Sequence, residues 1–300
     1  MEETRSAGLA RKIRLFLALT KPRQLALLMV TMYGAYFAAG GPLDIWKLVL
    51  LTIMGFSSIG SVTALNMYLD VDVDARMRRT RKRPLPSGEL SMEEALIGIL
   101  ILLVLGVVTA AMLNEWVLFT VLAGLYFDII AYTELTKRFT TLNIIFGGVA
   151  GSMPALGGWA AAAGGITLGG LILALIVFLW QPMHVWFLGY YFKRDYEEAR
   201  IPILPGGGDA RMIGLLISIS LVGFIALTWL YAITHGYGYL TAVLTTTLSV
   251  LSIGRIRGFL ESGDRRAALK LFKMASPIIA IVFLLLPFEY VAAVQVALGG

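Results

Sequence analysis

The sequence predicts an all-α integral membrane protein in which nine transmembrane helices surround a central cavity. Of the 300 residues, 58% are hydrophobic and 15% are charged, and the mean hydropathy is +0.80, which is far more apolar than a typical soluble domain. Segments of roughly 18 or more residues with almost no charge recur, each long enough to cross the hydrocarbon core. The chain has no cysteine, which excludes disulfides, thiolate catalysis and Cys-ligated metal sites.

Nine apolar segments are expected to span the membrane, because a span needs about 20 residues. In chain order they are 22–40, 45–68, 94–112, 115–133, 141–163, 166–190, 212–234, 237–254 and 271–297. Residues 1–21 are basic and amphipathic, without an apolar core followed by a cleavage site, so we expect a cytoplasmic leader on the membrane surface and not a signal peptide. Residues 22–300 then form a single transmembrane domain.

The basic residues lie almost entirely on one side of this topology. The leader and the first residues of span one, together with four charged connections, carry 24 of the 25 Lys and Arg residues, and only Lys47 falls on the other side. The four connections are 69–93, 134–140, 191–211 and 255–273. The positive-inside rule makes this side cytoplasmic, which predicts a multi-pass protein of the cell membrane with its N-terminus inside and its C-terminus outside. The net charge of +6 is thus explained without a nucleic-acid partner.

Two of these connections resemble each other. Asp74 is followed by RPLPSG after helix two, and Asp195 is followed by IPILPGG after helix six. Similar loops four helices apart indicate a parallel repeat of helices one to four and five to eight, with a ninth helix added. The repeat would place the loops 66–93 and 191–211 side by side over one cavity.

The first loop begins with regularly spaced oxygen donors. Asn66, Asp70 and Asp74 are four residues apart, so they share one face if helix two continues to the membrane surface, whereas Asp72 points away. Like charges at this spacing destabilise a bare helix and favour a hard cation such as Mg²⁺, which binds one or two carboxylates together with water and phosphate oxygens.

Six basic residues follow at once, and guanidinium groups bind phosphate oxygens in pairs. They are Arg76, Arg78, Arg79, Arg81, Lys82 and Arg83. Acids beside arginines at the mouth of an apolar cavity are typical of a site for a prenyl diphosphate. A solvated helix end with topology-setting positive charges would give a similar pattern.

The stretch NMYLDVDVDARMRRTRKRPLPSG at 66–88 resembles the N-x-x-x-D-x-x-x-D signature of the UbiA superfamily of intramembrane prenyltransferases. Its continuation D-x-x-M-x-R-T-x-x-R-P-L is similar to that of the protoheme IX farnesyltransferases, or haem O synthases. The stretches 19–24, 132–161 and 180–205 resemble the same subfamily, so the likeness covers about residues 15–285. Met183 and Arg200 depart from its usual proline and glycine, and Asp128 stands where an apolar residue is expected.

The resemblance implies the reaction and the roles of individual residues. Mg²⁺ held by Asn66, Asp70, Asp74 and Asp195 would bridge the diphosphate of farnesyl diphosphate, and the farnesyl group would pass to a vinyl group of haem b, giving haem O for haem A formation by a downstream haem A synthase. The cations implied at the leaving group are Arg79, Lys82, Arg83, Lys193 and Arg194.

Two residue assignments and two functions stay open. His184, inside an apolar helix, is either a haem contact or a packed core residue, and Asp195 is either a metal ligand or a helix cap. A sister enzyme with an aromatic, quinone-precursor or glycerol-phosphate acceptor is the nearest alternative. A secondary transporter is the alternative from another class, but its sites should lie near the bilayer midplane.

Overall fold

The computed structural model describes residues 2–299, which are almost entirely helical and contain no strand. The twelve α-helices of this range are α1 (Glu2–Leu19), α2 (Pro22–Ala38), α3 (Ile45–Leu69), α4 (Val71–Arg76), α5 (Met92–Leu113), α6 (Glu115–Leu125), α7 (Asn143–Ala163), α8 (Leu168–Tyr191), α9 (Lys193–Glu198), α10 (Ala210–His235), α11 (Tyr239–Ser262) and α12 (Arg265–Gly299). A π-helical segment, Tyr126–Thr136, continues α6, and a short 3₁₀ turn, Pro205–Gly208, precedes α10. The predicted all-α fold is confirmed.

Nine membrane crossings account for this helix order. Within residues 2–299, eight helices are long and apolar enough to span a membrane, counting α6 with its π-helical continuation as one. A ninth span results if Gly8–Leu19 of α1 and Pro22–Ala38, which meet at a bend of 59°, count as one broken span. The number agrees with the nine predicted spans.

Polar side chains set several helix starts, as helix capping requires. Asp44 accepts hydrogen bonds from the N–H groups of α3, and Ser91 forms a capping box with Glu94 at α5. Asn114 and Asp209 cap α6 and α10. These caps begin the helices at positions where the sequence predicts loops between apolar segments.

The predicted connection 255–273 differs most from the structure, because α11 extends to Ser262 and α12 already begins at Arg265. Hydropathy detects only the part of a helix inside the membrane. Arg257 and Glu261, one turn apart, form an ion pair at 2.9 Å, which is compatible with a helix continuing into water. The connection is therefore two helix ends and a turn at Gly263.

Glycines allow α2 to lie very close to its neighbours. A Cβ atom at Gly158 of α7 would lie 1.9 Å from the backbone oxygen of Met32, and one at Gly34 of α2 would lie 2.2 Å from the backbone oxygen of Phe283 in α12. Such contacts are possible only without side chains, as at many membrane helix interfaces. They fix α2 between α7 and α12, beside the cavity.

The basic connections meet at one end of the bundle, joined by ion pairs. These pairs are Arg11–Glu89 (3.2 Å), Arg138–Asp72 (2.8 Å) and Arg78–Glu198 (3.5 Å). Both α3 and α8 are followed by a six-residue helix, α4 and α9 respectively, as expected if helices one to four repeat in five to eight. The two loops therefore adjoin over the bundle.

Candidate active site

A cavity of about 710 Å³ opens among the helices beneath these loops. It is bordered by α2, α3, α6 with its π-helical segment, α7, α8 and α12, whereas α5, α10 and α11 pack outside it. Along α3 its lining runs from Asp70 to Met54, which is about 24 Å at 1.5 Å per residue. The cavity therefore reaches most of the way across a bilayer core of about 30 Å.

The predicted oxygen donors Asn66, Asp70 and Asp74 all line the cavity at its loop end. The helix breaks at Asp70 (φ −94°, ψ 12°) and resumes as α4, yet the N–H of Asp74 still donates to the backbone oxygen of Asp70. All three side chains stay on one side despite this break, and the residues are at most 9% exposed.

Asp72 points the opposite way, as its position in the sequence predicts. It is exposed and pairs with Arg76 at 2.7 Å and with Arg138 at 2.8 Å. Its partial burial works to raise the pKa of Asp72, but the hydrogen bonds and charges of Arg138 and Arg76 outweigh this and lower it. Asp72 therefore ties two loops together outside the cavity.

Each buried carboxylate already has a cationic partner. Asp70 forms an ion pair with Lys137, and Asp74 Oδ2 accepts a hydrogen bond from Arg83 at 2.6 Å. The other oxygen of Asp70, Oδ1, is buried and has no hydrogen-bond partner. A buried carboxylate oxygen without a partner is costly, and it marks a place for a ligand.

These donors fit Mg²⁺. Within residues 2–299 no three His, Cys, Asp or Glu side chains come close enough to enclose a metal on their own. Mg²⁺ needs no such enclosure, because it typically takes one or two carboxylates and completes its shell with water and substrate phosphate. Asp70 and Asp74 supply the carboxylates, and Asn66 lies beside them.

Of the five cations implied at the leaving group, the structure brings Arg79 and Arg83 to the cavity. Lys82 is exposed and does not line it. Lys193 donates to the backbone oxygen of Gly207 at 3.2 Å. Arg194 faces a separate cleft.

Three further cations line the same mouth, namely Lys21, Arg23 and Lys137. Lys21, between α1 and α2, has a left-handed backbone (φ 46°), which is rare for a residue with a side chain. Burial, together with the charges of Arg83 and Lys137, lowers the pKa of Lys21 to about 8. For Lys137, burial works to lower the pKa, but Tyr132 and Asp70 outweigh it and raise the pKa. In the sequence these three cations are evident only as topology signals.

Asp128 also belongs to the mouth. Asn66 Nδ2 donates to Asp128 Oδ1 at 3.3 Å and to Thr133 Oγ1 at 2.7 Å. Both partners lie on the π-helical segment, whose wider turn carries Asp128 to the cavity wall. Asp128 thus holds the amide of Asn66, a role the sequence left open.

Asp195 does not line the main cavity. Its Oδ2 accepts a hydrogen bond from the backbone N–H of Arg79 at 3.3 Å. No side chain caps α9, and Asp195 belongs instead to a surface cleft of about 250 Å³ on the other side of that helix. The structure thus connects Asp195 to the site only through the Arg79 backbone.

Below the mouth, the residues that line the cavity fall into two groups, and we call the space beside each group an arm of the cavity. The deep arm, between α2, α3, α6 and α7, ends at residues on the far half of the bundle, namely Met32, Met54, Gly55, Thr120 and Gly157. The shallow arm lies between α8 and α12 and contains Gln181, His184 and Phe272. One apolar arm and one partly polar arm suit two different substrates.

His184 lies between two aromatic rings in the shallow arm, stacked on Trp180 and tilted against Phe272. Its ring centroid lies 4.6 Å from that of Trp180 and 4.6 Å from that of Phe272. Its Nδ1 atom is buried without a hydrogen-bond partner. A packed core histidine normally satisfies its ring nitrogens, so the free nitrogen favours a ligand contact.

Sequence comparisons give a family for this arrangement. The profile of the UbiA prenyltransferase family matches residues 27–277. A protein of Aeropyrum pernix named protoheme IX farnesyltransferase is 65% identical over 295 residues, covering 98% of this chain and 97% of that protein. A protein of the same name from Korarchaeum cryptofilum is 39% identical over 278 residues, covering 93% and 94%.

Solved structures share the fold at low identity. A structure described in connection with digeranylgeranylglyceryl phosphate synthase aligns with a TM-score of 0.76 at 20% identity, covering 94% of this chain and 99% of that one. A UbiA homologue from Archaeoglobus fulgidus bound to DMAPP and Mg²⁺ aligns with a TM-score of 0.72 at 16% identity, covering 92% and 99%. These likenesses establish the fold of the bundle.

Proposed function

Because this chain belongs to the UbiA prenyltransferase family, we propose that it transfers a farnesyl group from farnesyl diphosphate to a vinyl group of haem b. The observation that carries the proposal is the two-armed cavity, in which a charged mouth joins a deep apolar arm to a shallow arm containing His184. The names of the Aeropyrum and Korarchaeum relatives support the haem acceptor.

The mouth would bind the diphosphate and the deep arm the hydrocarbon chain. Asp70 and Asp74, with Asn66 beside them, would hold Mg²⁺, which when bound neutralises charge on the diphosphate oxygens. Arg79 and Arg83 would contact the same oxygens through their guanidinium groups. The deep arm is long enough for an extended isoprenoid chain.

The reaction begins as the allylic C–O bond breaks and its electron pair leaves with the diphosphate. Lys21, Lys137 and the two arginines stabilise this developing negative charge, since preorganised cations in a partly buried site cost little rearrangement. The apolar walls below the mouth keep bulk water from the allylic cation.

The vinyl group then supplies its π electrons to form the new C–C bond. The cation left next to the porphyrin ring takes up water and loses a proton, which gives a hydroxyethylfarnesyl substituent, diphosphate and H⁺. His184 would contact the porphyrin from the shallow arm, with its free ring nitrogen available to the ligand.

The remaining implied residues would act from outside the cavity. Asp195 positions Arg79 by accepting a hydrogen bond from its backbone. Lys82, Lys193 and Arg194 lie at the same loop end, where positive charge attracts a multiply charged diphosphate from solution.

The protein would lie in the cell membrane with this mouth towards the cytoplasm, because 24 of its 25 basic residues lie on that side. It would take diphosphate from the cytoplasm and haem from the bilayer, and it would leave haem O in the membrane for a haem A synthase.

An acceptor assay tests the proposal. Purified protein in detergent would receive Mg²⁺ and farnesyl diphosphate, with haem b or hydroxybenzoate as acceptor, and products would be identified by mass spectrometry. We expect haem heavier by one farnesyl group plus one water, and no product with the Asp70→Ala variant. Prenylated hydroxybenzoate without a haem product would assign the protein to a sister activity, and no transfer at all would favour the transporter alternative.

A further inference from the structure

A second cleft, on the surface beside α9, is lined by three arginines from three different elements. Arg78 comes from the loop after α4, Arg194 from α9 and Arg265 from the first turn of α12. We call it the arginine cleft. Its other lining residues are Tyr191, Phe192, Asp195 and Glu198.

The two carboxylates of the arginine cleft have partners within the protein, but two of its guanidinium groups do not. Glu198 lies 3.5 Å from Arg78, and Asp195 accepts from the backbone N–H of Arg79. Among the described residues 2–299, the side chains of Arg194 and Arg265 form no hydrogen bond and no ion pair. Two unpaired guanidinium groups facing one cleft form a binding site for an anion.

The cleft lies directly above the shallow arm of the main cavity. On α8, Tyr191 of the cleft follows His184 of the arm by seven residues, and on α12, Arg265 of the cleft precedes Phe272 of the arm by seven. Seven residues are almost two full turns, so each pair shares one helix face with a rise of about 10.5 Å. Both helices thus continue from the arm into the cleft.

Only a thin wall separates the two spaces. The guanidinium carbon of Arg79, which lines the main cavity, lies 5.1 Å from the ring centroid of Phe192, which lines the arginine cleft. This stacked pair belongs to short surface elements, the loop after α4 and the residue before α9. A ligand at the top of the shallow arm would therefore lie next to the arginines.

We infer that the arginine cleft binds the two propionate carboxylates of the porphyrin whose ring occupies the shallow arm beside His184. The inference rests on the proposed function, since it concerns the same acceptor. A haem has its two carboxylates on one edge and its vinyl groups elsewhere on the ring. Two turns of helix are comparable with the distance from the centre of a porphyrin to those carboxylates. Bidentate arginines would fix that edge at the surface and so orient a vinyl group towards the mouth.

Comparing the affinity of the protein for haem b with its affinity for the dimethyl ester of haem b tests this site separately from general affinity for haem. The ester keeps the porphyrin ring but removes both carboxylate charges. Affinities would be measured by Soret titration of detergent-purified protein, and turnover by mass spectrometry. For the wild type we expect haem b to bind about tenfold more tightly than the ester. In Arg194→Ala/Arg265→Ala this preference should fall to about onefold.

Arg266→Ala is the matched control, since Arg266 is exposed on the next position of α12 and does not line the cleft. This variant loses one positive charge from the same helix end, whereas the double variant loses two, and it should keep the tenfold preference. Arg194→Lys/Arg265→Lys should regain part of the preference, which a folding defect would not allow. The inference is overturned if the wild type does not discriminate between the two haems, or if the double alanine variant still does. It stands, and the proposed function fails, if the preference behaves as expected but no farnesylated product forms.

Discussion

The buried pair between Asp70 and Lys137 gives a strong test of how the mouth is built. The two side chains are 3% and 13% exposed, so removing one partner leaves a nearly buried charge without compensation. Such a loss costs about 3–5 kcal/mol, whereas replacing both partners with neutral groups is often neutral or stabilising. Because Lys137 keeps some solvent contact, we expect Asp70→Asn and Lys137→Met each to lose about 3 kcal/mol of unfolding free energy.

The double variant Asp70→Asn/Lys137→Met should recover most of that stability. The unfolding free energy would be measured in mixed detergent micelles for the wild type and the three variants as a double-mutant cycle, which isolates the energy of the pair. We expect a coupling of more than about 2 kcal/mol between the two residues. Arg257→Met is the matched control, because its pair with Glu261 is exposed and should contribute under about 1 kcal/mol.

Activity should not follow stability in this series. The double variant would be folded yet inactive, since it lacks the carboxylate that holds Mg²⁺. Additive losses in the double variant would show that the two charges do not depend on each other. A folded and active Asp70→Asn variant would show that the metal assignment is wrong.

Three other predictions concern chain length, pH and backbone conformation. Met32→Ala should let the deep arm accept geranylgeranyl diphosphate, which would appear as a larger share of the longer product in a mixed-donor assay. In Gly55→Ala the new Cβ would lie 2.7 Å from the Met32 methyl group, so turnover of the farnesyl donor should fall relative to geranyl diphosphate. Unchanged product ratios in both variants would contradict the deep-arm assignment. Burial lowers the pKa of Lys21 to about 8, so its positive charge is present below that pH and lost above it. The kcat/KM for farnesyl diphosphate should therefore fall between pH 7 and 9. Lys21→Met should remove this pH dependence and lower kcat/KM at pH 7. Arg200 has a left-handed backbone (φ 59°), so Arg200→Gly should raise the unfolding free energy by up to about 1 kcal/mol, and a loss of stability would mean that the arginine side chain contributes more than the strain costs.

The sequence was sufficient for the membrane class, the number of spans and the cluster of oxygen donors in the first loop. Hydropathy and the distribution of basic residues are read directly along the sequence. The spacing of Asn66, Asp70 and Asp74 involves only neighbouring turns of one helix, so it needs no knowledge of the tertiary structure. The likeness to intramembrane prenyltransferases, seen in the same loop, is confirmed by the family match. The left-handed backbone at Arg200 explains why glycine is usual at this position, but nothing in the structure explains the arginine.

Residues that reach the site from other helices could not be predicted in the same way. Lys21 comes from the bend before α2, whereas Asp128 and Lys137 come from the π-helical segment and the residue that ends it. Asp195 is the opposite case. Its loop adjoins the first loop as the repeat predicts, but Asp195 lines the arginine cleft and not the main cavity.

The cations that the sequence did not indicate change the charge balance expected at the mouth. The carboxylates that would hold Mg²⁺ are paired with Lys137 and Arg83, which removes the repulsion expected between like charges four residues apart. With Mg²⁺ held by these carboxylates, Lys137 and Arg83 would be available to contact the phosphate oxygens. The two cations would thus balance first the carboxylates and then the leaving group, so that no buried charge is left uncompensated. That exchange requires metal and diphosphate to bind cooperatively, because either alone would leave one set of buried charges unpaired.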